Sequence, residues 1–374
     1  MISPERLYNY LNGKGVSFYT GVPDSLLKHF LKYIQDHTPA DQHIITANEG
    51  LAVGLASGYY FSTGKLPLVY LQNSGLGNII NPLTSLADKE VYSVPMLLMI
   101  GWRGRPGTKD EPQHVKMGRI TRSLLDTLEV PCYLLNEDEQ NCFTEIEKAI
   151  QQSLASKQPV ALLVPEEIFE KYKGSDSHNT YTLIRESVIE TILERLKGDE
   201  IVVCTTGKSG REFYEQNITA HSKIDSYLLS VGGMGHANHI ALGLQYGSQR
   251  KMIMIDGDGA VLMHMGSLAT IGQYAKNDFI HIVINNGSHE SVGGQPTAAF
   301  NADLQSIAGA CGYTSVIAID NEEKLEQWLS NGFLNGGVQF VEIRTNNTSR
   351  ADLGRPQGQP VDWKEQLMKA LQKK

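Results

Sequence analysis

Residues 252–297 read MIMIDGDGAVLMHMGSLATIGQYAKNDFIHIVINNGSHESVGGQPT, and this stretch decides the fold. An apolar run, Met252–Gly257, leads into an aspartate flanked by glycines. A helix-length segment follows, and a second apolar run, Phe279 to Asn286, ends on paired asparagines and a polar loop. The order is strand, glycine turn, helix, strand, the repeating unit of parallel α/β sheets. Asp258 and the pair Asn285–Asn286 therefore fall at the carboxyl ends of strands, the edge at which open α/β sheets bind ligands. Hard Mg²⁺ or Ca²⁺ takes oxygen ligands, so Asp258, the side-chain oxygen of Asn286 and a loop carbonyl such as that of Ser288 are expected to fill three positions, with phosphate oxygens and water in the others. Glycines let backbone N–H groups approach a phosphate, which makes Gly257, Gly259 and Ala260 the expected cradle. Asp-Gly turns and Asn-Asn-Gly loops are each common as plain structure. Their pairing across one strand-helix-strand unit is what points to a metal-bound diphosphate.

The same rhythm extends outward. Apolar runs of 6 to 8 residues recur at 66–72, 95–101, 160–165, 201–206, 226–231 and 339–344, separated by helix-length stretches, as buried parallel strands require. Between Glu166 and Thr182 the periodicity stops and the chain turns polar, with Gly174, Ser175, Asp176 and Ser177 at its centre. We therefore expect two doubly wound parallel-sheet domains, 1–170 and 183–374, joined by a linker at 171–182. A chain of 374 residues suits two such domains. A formal charge of −8 disfavours nucleic acid as a partner. No apolar run reaches the roughly 18 residues of a membrane span, and residues 1–15 lack the apolar core of a signal peptide. A cytoplasmic location is the expectation. The four cysteines stand far apart without metal-ligand spacing, which indicates neither a zinc site nor a disulfide framework. Two other glycine motifs are excluded: Gly207-Lys208-Ser209 lacks the upstream glycine of a P-loop, since Val202 stands there, and Gly257-Asp258-Gly259 has Leu262 at the third glycine of a dinucleotide fingerprint.

With 25 residues between Gly259 and Asn285, the segment resembles the GDG-to-NN signature of the thiamine-diphosphate enzymes. The resemblance implies thiamine diphosphate and Mg²⁺ as cofactors. By the same resemblance the loop Gly232-Gly233-Met234-Gly235 is similar to the one that lies against the aminopyrimidine, where Met234 would hold the cofactor bent and Gly232 would offer its carbonyl to the 4′-amino group. A methionine there is otherwise an ordinary core filler. The family also needs a glutamate that exchanges a proton with the aminopyrimidine, placed before a helix rich in small residues. Glu49 in ITANEGLAVGLASGYY matches that context, and burial would raise its pKa towards neutrality. The alternative is a helix-capping box, because Thr46 and Glu49 stand three apart. In the family this glutamate serves the neighbouring subunit, so a homo-oligomer, at least a dimer with sites at the subunit interface, is implied; Ala52, Gly54, Ala56 and Gly58 would let the helix pack closely there.

The whole chain is similar to the phosphonopyruvate decarboxylase family, with the sulfopyruvate decarboxylases next. The resemblance is carried by Gly21–Ser25, Gln72–Asn78, the run from Arg103 to His114, and Ser291–Thr297. It implies decarboxylation of 3-phosphonopyruvate to phosphonoacetaldehyde and CO₂, in phosphonate biosynthesis. A phosphonate dianion favours guanidinium forks. Candidates are Arg103, Arg105 and Lys109 in one loop and Arg350 and Arg355 in another, although exposed arginines and lysines are usually solvated surface groups. His114 is a candidate proton donor and Asp24 a candidate for orienting substrate or water, against a turn or cap role. His289 and Glu290 stand beside the metal loop without an assigned role. The competing readings are a sulfopyruvate decarboxylase and a thiamine-diphosphate-binding subunit that does not catalyse.

Overall fold

In the computed structural model, which describes residues 1–175, 178–219, 224–333 and 335–372, twelve strands form two six-stranded sheets in which every pairing is parallel. The first sheet holds β1 (Tyr19–Gly21), β2 (His43–Ile45), β3 (Leu68–Gln72), β4 (Met96–Gly101), β5 (Cys132–Leu134) and β6 (Pro159–Val164) in the order β2-β1-β3-β4-β6-β5. The second holds β7 (Ile201–Cys204), β8 (Tyr227–Leu229), β9 (Met252–Gly257), β10 (Phe279–Asn285), β11 (Ser315–Ile319) and β12 (Val338–Arg344) in the order β11-β12-β10-β9-β7-β8. Numbered from its own first strand, each sheet runs 2-1-3-4-6-5. The two halves of the chain thus share one topology, with helices supplying the crossovers that parallel neighbours need.

The chain divides into two units, Met1–Ser177 with His289–Pro296, and His178–Ser288 with Thr297–Lys374. Asp176 and Ser177, expected at the centre of the linker, lie outside the described residues.

In the first unit the two faces of the sheet are both buried, which explains the unbroken apolar runs. Leu68, Tyr70, Leu97, Met99, Val160 and Leu162 pack with the helices Pro4–Gly13, Lys28–His37 and Glu139–Ser156. Their neighbours Val69, Leu71, Leu98, Ile100, Ala161 and Leu163 face the other way, onto Ala52, Val53 and Ala56 of the helix Glu49–Thr63. That helix begins because Asn48 caps it, accepting the N–H of Gly50 at 2.7 Å, and ends at Gly64 in the left-handed region. In the second unit β10 is buried at all seven positions between β9 and β12. Among the described residues no helix is long and apolar enough to cross a membrane.

Candidate active site

In the first unit the polar groups gather at the carboxyl ends of β1 to β4. Glu49 is the first residue of its helix, only 5% exposed, and its Oε2 accepts a hydrogen bond from Asn78 Nδ2 at 2.7 Å. Its other oxygen lies where a side chain at position 75 would be: a Cβ on Gly75 would stand 2.3 Å from Oε1. Burial raises the Glu49 pKa above the ordinary carboxylate range, and the Asn78 hydrogen bond opposes the rise only in part. The capping-box alternative fails, because the cap is Asn48; Thr46 instead gives its N–H to Gly21 O and its hydroxyl to Asn48 O, both at 3.0 Å. Of the four small residues, Ala52 and Ala56 are buried in the unit's own core, while Gly54 and Gly58 are exposed with open space around them.

Asp24 follows β1 and is fully buried. One oxygen accepts Gln72 Nε2 at 2.6 Å and the other accepts the N–H of Leu26 at 2.9 Å, so the turn role is real. Burial raises its pKa, while Gln72, Leu26 and the nearby Arg103 charge oppose the rise. Arg103, just past β4, gives Nε to Asp110 at 2.8 Å and Nη2 to the same carboxylate, while Nη1 reaches Ser25 Oγ at 2.9 Å. Three of its five donors are thereby used and two remain. Asp110 also accepts the N–H groups of Gly104 and Glu111, which ties the arginine loop to the start of the helix Pro112–Thr127. His114 lies on that first turn with its Nδ1 buried and unpartnered; burial, then the Arg103 charge, lower its pKa, so the ring is neutral near pH 7. Arg105 lies over the Trp102 ring, 5.7 Å from its centre, and Lys109 is exposed.

In the second unit Asp258 opens the short helix Asp258–Met263 after β9. Its carboxylate is buried, accepts the Thr297 hydroxyl at 2.5 Å, and is pushed up to about 6 by burial against hydrogen bonds from Thr297 and backbone N–H groups. All these donors are neutral. Asn286 is buried after β10; its Oδ1 accepts the N–H of Ser288 at 3.0 Å, and its carbonyl accepts Nδ2 of Asn179 at 3.0 Å. The Ser288 hydroxyl is buried without a partner. Asn285, by contrast, points its amide away, giving Nδ2 to Glu342 of β12 at 2.6 Å. The loop Gly232–Gly235 follows β8, with Gly233 and Gly235 both at positive φ. His289, which belongs to the first unit, begins the turn closed by its N–H to Gln295 O at 2.8 Å, and its ring is pushed down to about 4 by burial.

A divalent oxygen-seeking cation fits this set. A buried carboxylate met only by neutral donors gains from a nearby positive charge, and the orphaned Ser288 hydroxyl is a further oxygen. Among the described residues no three His, Cys, Asp or Glu side chains gather as a metal site. The available donors are therefore one carboxylate with amide, hydroxyl and carbonyl oxygens, which suits Mg²⁺ better than zinc.

The two loops of candidate cations fare differently. Arg350 pairs with Glu186 at 2.9 Å and with Asp352 at 3.2 Å, and also with Glu215, so its charge is committed to carboxylates. Arg355 is exposed. Sequence reasoning did not single out Asn78, Asp110, Asn179 or Thr297 as supports of the site. Asn78 and Thr297 end two of the segments that carried the family resemblance and Asp110 lies within a third; Asn179 carried no signal beyond a polar residue in a loop.

Comparison with known proteins follows this geometry. A family model described as thiamine pyrophosphate enzyme, N-terminal TPP binding domain, matches residues 4–124, and one described as thiamine pyrophosphate enzyme, C-terminal TPP binding domain, matches residues 206–343. Over 97% of its length the chain is 35% identical to the phosphonopyruvate decarboxylase of Streptomyces viridochromogenes, covering 93% of that protein. It is 34% identical over 96% of its length to the phosphonopyruvate decarboxylase of Streptomyces hygroscopicus, covering 92% of it. Identity to the sulfopyruvate decarboxylase of Methanosarcina acetivorans is 26%, over 86% of each chain.

Proposed function

Given that this chain belongs to the phosphonopyruvate decarboxylase family of thiamine-diphosphate-dependent decarboxylases, we propose that it converts 3-phosphonopyruvate to phosphonoacetaldehyde and CO₂, with Mg²⁺ as its metal, in the cytoplasm and within phosphonate biosynthesis. The choice of substrate is supported by near end-to-end identity of 35% and 34% to two phosphonopyruvate decarboxylases, against 26% to a sulfopyruvate decarboxylase.

The observation that carries the chemistry is Glu49, a buried carboxyl with a raised pKa and one neutral amide partner. A carboxyl whose pKa is raised by burial holds a proton more readily than an exposed one, and we assign it the exchange with N1′ of the aminopyrimidine. Thiamine diphosphate, when bound, supplies a thiazolium ring that takes up the electron pair left as CO₂ departs. Asp258, Asn286 and Ser288 would hold the metal, the backbone of Gly257, Gly259 and Ala260 the diphosphate, and Gly232 and Met234 the aminopyrimidine. Arg103, with two donors left over from Asp110 and Ser25, would receive the phosphonate, and Arg105 and Lys109 stand in the same loop. A dianion arriving beside His114 would raise its depressed pKa and charge the ring, readying it to protonate the carbon that loses CO₂. Asp24 would orient Gln72 at the same edge.

We further propose a homo-oligomer in which Glu49 of one copy serves the cofactor held by another. The helix Glu49–Thr63 is apolar on its outer side as well as its inner one: Leu51 and Phe61 are 60% and 56% exposed, with Gly54 and Gly58 between them. A helix apolar all round is one that is covered on all sides.

The test is CO₂ release from phosphonopyruvate, sulfopyruvate and pyruvate, with thiamine diphosphate and Mg²⁺ each omitted in turn. Preference for phosphonopyruvate that needs both supports the reading. Preference for sulfopyruvate would replace the substrate and keep the mechanism, and no turnover of any would favour a binding subunit.

A further inference from the structure

Resting on the cofactor site proposed above, we propose that His264 is a positioning residue: its ring is the seat that fixes the Met234 loop against the metal-bearing turn, so that the two segments act as one piece. Gly235, in the left-handed region, lies directly on that ring. A Cβ at position 235 would come within 2.6 Å of His264 Cδ2 and 2.9 Å of the Ala260 carbonyl. The loop therefore touches the very helix, Asp258–Met263, that starts at the metal carboxylate. From the other side His236 closes on it: its Nδ1 stands 3.2 Å from the carbonyls of both Gly233 and Met234, and its ring meets that of His264 edge-on at 4.5 Å. A second tie runs deeper. Asn238, fully buried three residues past Gly235, gives Nδ2 to Asp256 at 3.3 Å, and the other oxygen of Asp256 accepts the N–H of Gly257 at 2.9 Å, next to Asp258.

Shape rather than chemistry sets the role of His264. Its Nε2 is buried and has no partner among the described residues, and burial, then the neighbouring His236 and His239, lower its pKa. An unpartnered buried nitrogen costs stability, so an aromatic ring without it would fill the seat at least as well. On the proposed reading the metal and diphosphate would supply most of the cofactor's affinity through Asp258 and its turn, and the Met234 loop would support the aminopyrimidine. Loss of the seat should therefore separate binding from turnover.

The experiment compares His264→Ala, His264→Phe and Asn238→Ser in the full chain. Readouts are titration calorimetry with thiamine diphosphate and Mg²⁺, near-ultraviolet circular dichroism of the bound aminopyrimidine, kcat and the melting temperature. His264→Ala and Asn238→Ser are expected to bind the cofactor almost as tightly as the unsubstituted chain, with a weakened dichroism band and kcat lower by about 10- to 100-fold, the scale of a small misplacement. His264→Phe is expected to restore both and to melt no lower. Normal kcat and dichroism in His264→Ala would overturn the proposal, as would a Phe variant as impaired as the Ala one. If His264→Ala does not fold, Asn238→Ser decides by the same readouts. A failure of the unsubstituted chain to bind thiamine diphosphate would sink the cofactor reading itself, whereas normal binding with indifferent variants would sink this coupling alone.

Discussion

Glu49→Gln separates proton exchange from everything else the residue does. Glutamine keeps the volume and one side-chain oxygen, so the 2.7 Å hydrogen bond from Asn78 survives. Its amide nitrogen takes the place of Oε1 against Gly75, where there is no side chain to collide with. The fold and cofactor affinity should persist while kcat falls by about 10²- to 10⁴-fold, or about 3–5 kcal/mol of transition-state stabilisation, the usual worth of a positioned acid or base. Stability adds an independent sign. The folded chain holds the Glu49 proton more tightly than the unfolded chain does, because burial raises the pKa. Below the ordinary carboxylate pKa of about 4.3 both states are protonated and the group costs nothing. As pH climbs from there through the raised folded value, the parent protein loses stability relative to the variant, and the gap levels off above it. Melting temperatures of the two proteins across this range, with CO₂ release and calorimetric cofactor binding at neutral pH, make the assay. Turnover close to that of the parent would refute the reasoning, as would a fall in cofactor affinity as large as the fall in kcat.

Three further outcomes follow from the same geometry. Asp258→Asn should weaken Mg²⁺-supported thiamine diphosphate binding by about 10- to 100-fold while altering metal-free binding far less; equal affinity in calorimetric titrations would remove the metal assignment. Arg103→Lys cannot keep both bonds to Asp110 and should lower kcat/KM for phosphonopyruvate by about tenfold or more, the worth of a charge-assisted hydrogen bond, and unchanged steady-state kinetics would release Arg103 from the substrate. Arg350→Gln should lower the melting temperature, since Glu186, Glu215 and Asp352 lose their shared cation, and leave KM for phosphonopyruvate unchanged; a raised KM would return Arg350 to the substrate set.

All eight apolar runs read from the sequence became strands, and three of the four strands it did not reveal share an explanation. β2, β5 and β11 lie at sheet edges, where one side meets solvent, and all their residues but Ile319 are partly buried or exposed; Ser315–Ile319 alternates instead of running apolar. β1 is central but three residues long, ending where a Cβ on Gly21 would strike the Tyr70 carbonyl. The site divided in the same way. Among the candidate site residues, Asp258, Asn286 and Glu49 stood out because glycines or small residues surround them in a pattern. Asn78 and Thr297 each support one carboxylate through a hydrogen bond, and Asp110 gathers bonds from Arg103, Gly104 and Glu111; no spacing rule announces any of them. The arginines were the least legible: Arg103 and Arg350 look alike in sequence, and only the structure separates a guanidinium that meets one carboxylate and the Ser25 hydroxyl from one surrounded by three carboxylates.

Shared topology shows why the metal would belong to one unit only. In both sheets the third strand ends one residue before a buried polar side chain, Asn73 after β3 and Asp258 after β9. Asn73 is satisfied within its own unit: Nδ2 reaches Arg103 O at 2.8 Å and Thr121 Oγ1 at 2.9 Å, and Oδ1 accepts the N–H of Arg103 at 3.2 Å. A neutral amide with filled valences offers a cation nothing and costs nothing buried. Asp258 occupies the matching place as a carboxylate pushed up to about 6, with only neutral donors around it, and a bound cation would reverse that cost. After the second strand the roles exchange. The first unit places the buried carboxyl of Glu49 there, and the second places the uncharged loop Gly232–Gly235. One fold used twice thus puts its two candidate carboxyls, Glu49 and Asp258, at non-equivalent strand ends.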